Sequence, residues 1–257
     1  MNIYSFIDSS IMVECLSDAI EYICRENLDL YDSSECQTLA TQAGKGRHLR
    51  LLPEQQNQIN RSTSILVQLC EDNYTAWLRR GDQNQLDIAT QLYSAPVWSE
   101  ADIQAKIPQV IQFTQAAMAT PNHYLWGGTV GPHYDCSGLM QAAFTSVGIW
   151  IPRDAYQQEA FTQPIDFNQE SLNFSGLLPG DLIFFGTPQK ATHVGLYLGN
   201  RQYIHSSGRE YGRNGIKIDV LSPAGDACIQ YYFQQLRGVG RVISSYQPTA
   251  STHSLGL

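Results

Sequence analysis

The chain has 257 residues, a formal net charge of -8 and six cysteines. That length holds one large or two ordinary domains, and the hydrophobic content of 43% is normal for a globular protein. The negative balance argues against nucleic acid, anionic lipid or anionic wall polymer as a partner, because each is held by basic patches. Lys45 to Arg50 and Arg79-Arg80 are small basic clusters and read as solvated loop residues.

Residues 1–20 read as an N-terminal arm. It lacks a basic start, and Asp8, Glu14 and Asp18 interrupt its apolar residues, so neither a secretory leader nor a membrane span is expected and the localisation expected is cytoplasmic. Cys15, Cys24, Cys36, Cys70, Cys136 and Cys228 form no CxxC pair or zinc-ribbon spacing, which suits free thiols with no bound metal or cofactor. Nothing in the sequence sets the oligomeric state, and a monomer is compatible with it.

Residues 21–88 carry short strand-like runs divided by turns. Tyr22-Ile23-Cys24, Leu28 to Tyr31, His48 to Leu52, Ile65 to Cys70 and Thr75 to Leu78 are the runs, with Gly44-Lys45-Gly46 and Glu71-Asp72-Asn73 between them. Several short strands at this spacing predict a small antiparallel barrel. Residues 89–104 read as a linker, and a helix is expected from Ile107 to Ala119, stopped by Pro121-Asn122.

A Gly-rich approach (Trp126, Gly127, Gly128, Gly131, Pro132) then meets an apolar run from Leu139 to Val147. This places Cys136 in the first turn of a helix, where unpaired amides favour a thiolate and can hold an oxyanion. Gly148 ends that helix. Further on, Thr192 to Gly199 and Tyr203 to Ser207 flank a Gly199-Asn200 turn and predict a β-hairpin with one histidine on each strand. Leu182 to Phe185, Ile216 to Val220 and Gly238 to Ile243 read as further strands, and residues 246–257 as a flexible Ser/Thr-rich tail.

Cys136, His193 and His205 supply a nucleophile, a base and a group to orient the base, the logic of nucleophilic acyl transfer. The same three side chains could instead bind zinc. The ordered motifs Tyr124-Leu125-Trp126-Gly127-Gly128, Asp135-Cys136-Ser137-Gly138-Leu139, Leu178-Pro179-Gly180-Asp181, His193-Val194-Gly195 and Ile204-His205-Ser206 resemble the NlpC/P60 family of papain-like cysteine peptidases, over residues 105–245. Residues 21–88 are similar to a bacterial SH3 (SH3b) domain. The resemblance implies an α+β chain: an SH3b-like β-barrel followed by a domain whose nucleophile helix packs on an antiparallel sheet.

It further implies Cys136, His193 and His205 as catalytic residues, cutting murein peptides after D-glutamate at its γ-carboxyl. The expected substrate is a small peptide such as L-Ala-γ-D-Glu-meso-diaminopimelate with a free alanine amine, opened through a thioester at Cys136 during wall recycling. Asp154 is the expected partner of that amine, although Asp is also a frequent helix N-cap. Tyr74 and Glu35 of the barrel are expected to wall the same end. Tyr124 is expected near the oxyanion, or as core packing, and Asp135 and Ser137 against the γ-D-glutamyl part. An amidase or acyltransferase on the same fold, and a wall-binding adaptor using its SH3b domain, are the rival readings.

Overall fold

A computed structural model describes residues 20–52, 63–171 and 173–248. The expected N-terminal arm, with Cys15, and the tail beyond residue 248 lie outside these residues.

The N-terminal domain is a seven-stranded antiparallel sheet: β1 (Tyr22–Cys24), β2 (Leu28–Tyr31), β3 (Leu39–Ala43), β4 (His48–Leu51), β5 (Ser64–Leu69), β6 (Thr75–Arg79) and β7 (Leu86–Ile88), in the order β3-β2-β6-β5-β4-β1-β7. Alternate residues turn inward, so Leu28 and Leu30, Ile65, Val67 and Leu69, and Ala76 and Leu78 share one core with Tyr22, Cys24 and Leu49. Asn73 turns the β5-β6 hairpin with φ of 56°, a conformation Asn tolerates. The sequence reading passes over β3 and β7. The two alanines of β3 and the aspartate of β7 are weak strand formers, and pairing with β2 and β1 orders them.

Helix α1 (Glu100–Ala119) opens on a capping box: the Ser99 hydroxyl accepts from the Asp102 amide at 3.2 Å and Asp102 accepts from the Ser99 amide at 3.3 Å. The last residues of the expected 89–104 linker are therefore helical. Pro108 lies inside α1 and removes one main-chain hydrogen bond. Burial of Ile103, Ile107 and Val110 offsets that loss.

The C-terminal sheet has the order β12-β11-β10-β9-β13-β8 and every pairing in it is antiparallel. Its strands are β8 (Gln163–Pro164), β9 (Leu182–Gly186), β10 (Ala191–Gly199), β11 (Gln202–Ser207), β12 (Gly215–Val220) and β13 (Leu236–Arg241). One face packs through Leu182, Phe184, Val194, Leu196 and Ile204 on α1 and on α2 (Cys136–Thr145), with α3 (Ala155–Phe161) contributing Ala155. The other face packs through Ile183, Phe185, Tyr197 and Tyr203 on α4 (Ala227–Gln234), a helix the sequence reading does not assign. Near the chain end, the Tyr246 amide donates to the Trp150 carbonyl at 2.7 Å and Gln247 to Pro96 at 3.0 Å. The first residues of the expected tail are thus tied down.

Polar contacts join the domains. The Gln42 side chain accepts from the Thr129 and Val130 amides, both at 3.1 Å, and the Thr129 hydroxyl donates to the Gln42 carbonyl at 2.8 Å. Asp72 accepts from Gln141 at 2.8 Å and pairs with Arg47 at 3.0 Å, while Arg47 lies 4.6 Å over the Trp150 ring. Gly127, at φ of +78°, lets Leu39 of the barrel press on the approach loop: an added Cβ would fall 2.7 Å from the Leu39 side chain.

Candidate active site

Helix α2 starts at Cys136 because Asp135 caps it, its Oδ1 accepting from the Gly138 amide at 2.6 Å. Asp135 Oδ2 accepts from the Gly127 amide at 2.9 Å, which ties the Gly-rich approach to the same turn. The approach is close enough that a Cβ on Gly138 would stand 2.0 Å from the Gly128 carbonyl oxygen. Cys136 is buried there, with the Val194 and Ser137 amides against its sulphur.

Helix position does not decide the charge of this thiol. Burial, and then the Asp135 carboxylate, push it up to about 12, against the Val194 and Ser137 amides. The ease of ionisation expected from the helix terminus is thus opposed by desolvation.

The hairpin register carries the two histidines. Leu196 pairs with Ile204 across β10 and β11, which sets Gly195 opposite His205 and His193 diagonal to it on the same face. A side chain at position 195 would meet Tyr203 at 2.7 Å and the His205 Cβ at 3.3 Å. In the space Gly195 leaves, His193 Nε2 lies 2.7 Å from His205 Nδ1. The pattern repeats on the next strand, where His205 pairs with Lys217 and lies diagonal to Asp219. His205 Nε2 is 3.0 Å from Asp219 Oδ2.

That chain of contacts fixes the proton positions. An ionised carboxylate only accepts, so His205 Nε2 carries its proton toward Asp219. His205 Nδ1 is then a lone pair and accepts from His193 Nε2-H, which leaves His193 Nδ1 free as the basic nitrogen. Asp219 is held ionised: burial would raise it, but hydrogen bonds from His205 and Arg213 bring it down to about 2. Arg213 grips it at 2.7 to 3.1 Å through two nitrogens.

Burial, and the neighbouring His205, hold His193 well below the usual imidazole value. Tyr232 of α4 stacks on its ring at 4.3 Å and gives its own hydroxyl to a bond with Ser207 at 2.7 Å. Because the lowered His193 stays a neutral base into acid, the acid limb of kcat/KM is expected below the ordinary histidine value of about 6.5. A pH-rate profile checks this, and a limb centred above that value contradicts it. The zinc reading loses its donors, since His193 and His205 turn nitrogens on each other. Among the described residues no His, Cys, Asp and Glu group assembles as a metal site.

Two cavities flank this constellation and share Tyr124, Trp126 and Thr192 as walls. The one on the barrel side, about 320 Å³, is lined by Cys136, Tyr74, Asp154, Asp32, Tyr156 and Lys190 among others. Burial, then the nearby Asp154 charge, raise the Tyr74 phenol to about 12. Burial also raises Asp154, against the attraction of Arg153. Asp154 is in addition the N-cap of α3, its amide donating to Gln157 Oε1 at 3.0 Å. Tyr124 reaches both cavities, bridged to Tyr134.

Three expectations need restating. Glu35 is exposed on the β2-β3 turn, 3.2 Å from the Ser34 hydroxyl, and does not line the cavity; the tight Ser33 to Cys36 turn aims it outward, and Asp32 stands at the wall instead. Asp135 and Ser137 border the cavity, but their oxygens are engaged internally. Arg153, 2% exposed, donates to Asp135 Oδ2 at 2.5 Å and to the Ser137 hydroxyl at 2.9 Å. The same guanidinium donates to the Thr41 hydroxyl of β3 at 2.9 Å.

The reading also missed Asp219, Arg153 as a cross-link, and Tyr232. For Asp219 a signal was present: in Ile216-Lys217-Ile218-Asp219-Val220 the alternation puts an acid on one face of a strand beside a histidine strand.

A barrel joined to an α+β domain, with a cysteine at a helix start and a hydrogen-bonded His193-His205-Asp219 line on the sheet, defines a two-domain protein with a candidate active site. Residues 121–247 match the NlpC/P60 family and residues 30–82 the bacterial dipeptidyl-peptidase Sh3 domain, so the C-terminal domain belongs to the NlpC/P60 family and the N-terminal one is of bacterial SH3 type. The probable endopeptidase p60 of Listeria innocua is 36% identical over 119 residues, 46% of this chain and 22% of that protein. The bifunctional muramidase/DL-endopeptidase CwlT of Bacillus subtilis is 39% identical over 95 residues, 34% of this chain and 26% of that protein.

The murein DD-endopeptidase/LD-carboxypeptidase MepS of Escherichia coli is 35% identical over 85 residues, 33% of this chain and 42% of that protein. The chain thus spans less than half the length of these relatives. A solved NlpC/P60 family protein from Bacillus cereus is 25% identical with a TM-score of 0.42, over 89% of this chain and 65% of that one.

Proposed function

We propose that this protein is a cysteine endopeptidase that hydrolyses the γ-D-glutamyl bond to a diamino acid in small murein peptides bearing a free L-alanine amine. The observation that supports it is the hydrogen-bonded line from Asp219 through His205 to His193, beside Cys136 in a cavity that also holds Asp154 and Tyr74. As the Cys136 sulphur attacks the γ-carbonyl carbon, His193 Nδ1 takes the thiol proton. The Tyr124 hydroxyl and the amides at the start of α2 stabilise the oxyanion. His193 then protonates the departing amine as the C–N bond breaks, leaving a thioester on Cys136. Water, deprotonated by His193, attacks that thioester and releases the γ-glutamyl acid.

The barrel-side end of the cleft supports the preference for a free amine. Asp154, with Asp32 and Tyr74 in the same wall, offers an ammonium a carboxylate partner. An acetylated amine offers nothing to that partly buried charge and leaves it without compensation. Such selectivity suits released peptides over intact wall, so we extend the proposal to wall recycling in the cytoplasm. The free state of Cys24, Cys36, Cys70, Cys136 and Cys228 is consistent with a reducing compartment.

Product analysis tests the reaction. Incubation of L-Ala-γ-D-Glu-meso-diaminopimelate should release L-Ala-γ-D-Glu and free diaminopimelate, identified by mass spectrometry, and Cys136→Ala protein should release neither. Products from cleavage at any other bond, or turnover by the Cys136→Ala protein, would refute the proposal.

A further inference from the structure

The cavity on the His193 side, about 190 Å³, has a different chemistry from its neighbour. Glu210 is the one acidic side chain among the described residues that line it, and no Lys or Arg joins them. Two cations from neighbouring elements are committed elsewhere: Arg213 pairs with Asp219 and Asp226, and Lys190 lines the other cavity over the Tyr156 ring. Glu210 itself makes no ion pair with a described residue. Its carboxylate folds over Gly208, where a Cβ would lie 2.3 and 2.4 Å from its two oxygens, so the glycine keeps the acid at the cavity rim. Beside it, Tyr211 and Tyr231 stack at 5.0 Å and 24°, and both are about two-fifths exposed (38% and 40%).

A lone carboxylate next to an exposed aromatic pair suits an ammonium on an aliphatic stem. We propose that this cavity takes the leaving amino acid of the peptide, with Glu210 pairing with the ammonium at the end of its side chain and the Tyr211 and Tyr231 rings receiving the methylene stem. The assignment rests on the reaction proposed above. With the acyl portion in the Asp154 cavity and the scissile carbonyl at Cys136, the amine-side residue lies in the cavity beyond the shared Tyr124 and Trp126 wall.

The test measures kcat/KM for L-Ala-γ-D-Glu-L-Lys and for the same peptide acetylated at the lysine Nε, using wild-type protein and Glu210→Gln. Wild-type protein should favour the free amine by roughly threefold to tenfold, the range for an exposed ion pair aided by aromatic contact. Glu210→Gln should bring the ratio close to one by losing rate chiefly on the free peptide, with an unchanged thermal unfolding midpoint as the control for an intact fold. A wild-type ratio of one, or a preference that survives in Glu210→Gln, would overturn this subsite alone. Cleavage of neither peptide would overturn the reaction and the subsite together.

Discussion

Replacing Arg153 with alanine is expected to destabilise the protein by about 3 to 5 kcal/mol, the range for breaking a buried ion pair from one side. The guanidinium is 2% exposed and satisfies Asp135, Ser137 and Thr41 together, with the Ala40 carbonyl at 3.4 Å. Its loss leaves Asp135 buried with only hydrogen-bond donors for company, and it breaks a link between the barrel and the helix that carries Cys136. Because Asp135 also caps α2, the damage reaches the nucleophile. Thermal unfolding should show a midpoint lower by roughly 10 °C. Arg153→Lys should rescue little, since a single ammonium cannot reproduce the planar fork. A midpoint within a degree or two of wild type for Arg153→Ala would contradict this role.

Asp219→Asn is expected to lower kcat by roughly 100- to 1000-fold while changing KM little. An asparagine amide can donate to His205 Nε2, which moves the His205 proton to Nδ1. That hydrogen then points at His193 Nε2, and the proton of a neutral His193 must sit on Nδ1, the nitrogen meant to receive the thiol proton. The rings stay in place while the tautomers are reversed. Asp219 acts through two other side chains and touches no substrate, so it is a positioning residue. Steady-state kinetics separate this from general damage: a loss carried by KM, or a kcat within threefold of wild type, would contradict the tautomer argument.

Much of the fold is legible from local pattern. Gly199-Asn200 between two apolar strands marks the β10-β11 hairpin, and the alternation of Ile65 to Leu69 marks β5. The start of α2 is readable because glycines give way to an apolar run at Cys136. Other features rest on tertiary context. Helix α1 runs through Pro108 because its apolar face is buried, and β3 exists because β2 pairs with it.

The site divides in the same way. The motif sequence points to Cys136, His193 and His205, and the diagonal register brings the two rings together. The desolvation of Cys136 is not legible locally, because burial is a property of the assembled fold. Glu35 and Asp32 lie three positions apart in one turn, and only the path of that turn decides which faces the cleft. Arg153 carries no local sign of its role, which depends on partners on β3 and at the start of α2.

The central claim, a cysteine peptidase gated by a free amine, is tested most directly by one ratio. It is kcat/KM for L-Ala-γ-D-Glu-meso-diaminopimelate over that for the same peptide acetylated at alanine, measured with wild-type protein and with Cys136→Ala as blank. The account predicts Cys136-dependent cleavage of the free peptide at a rate at least about 100-fold above the acetylated one, the discrimination expected when a partly buried carboxylate is left unpaired. Equal cleavage of the two peptides would contradict it.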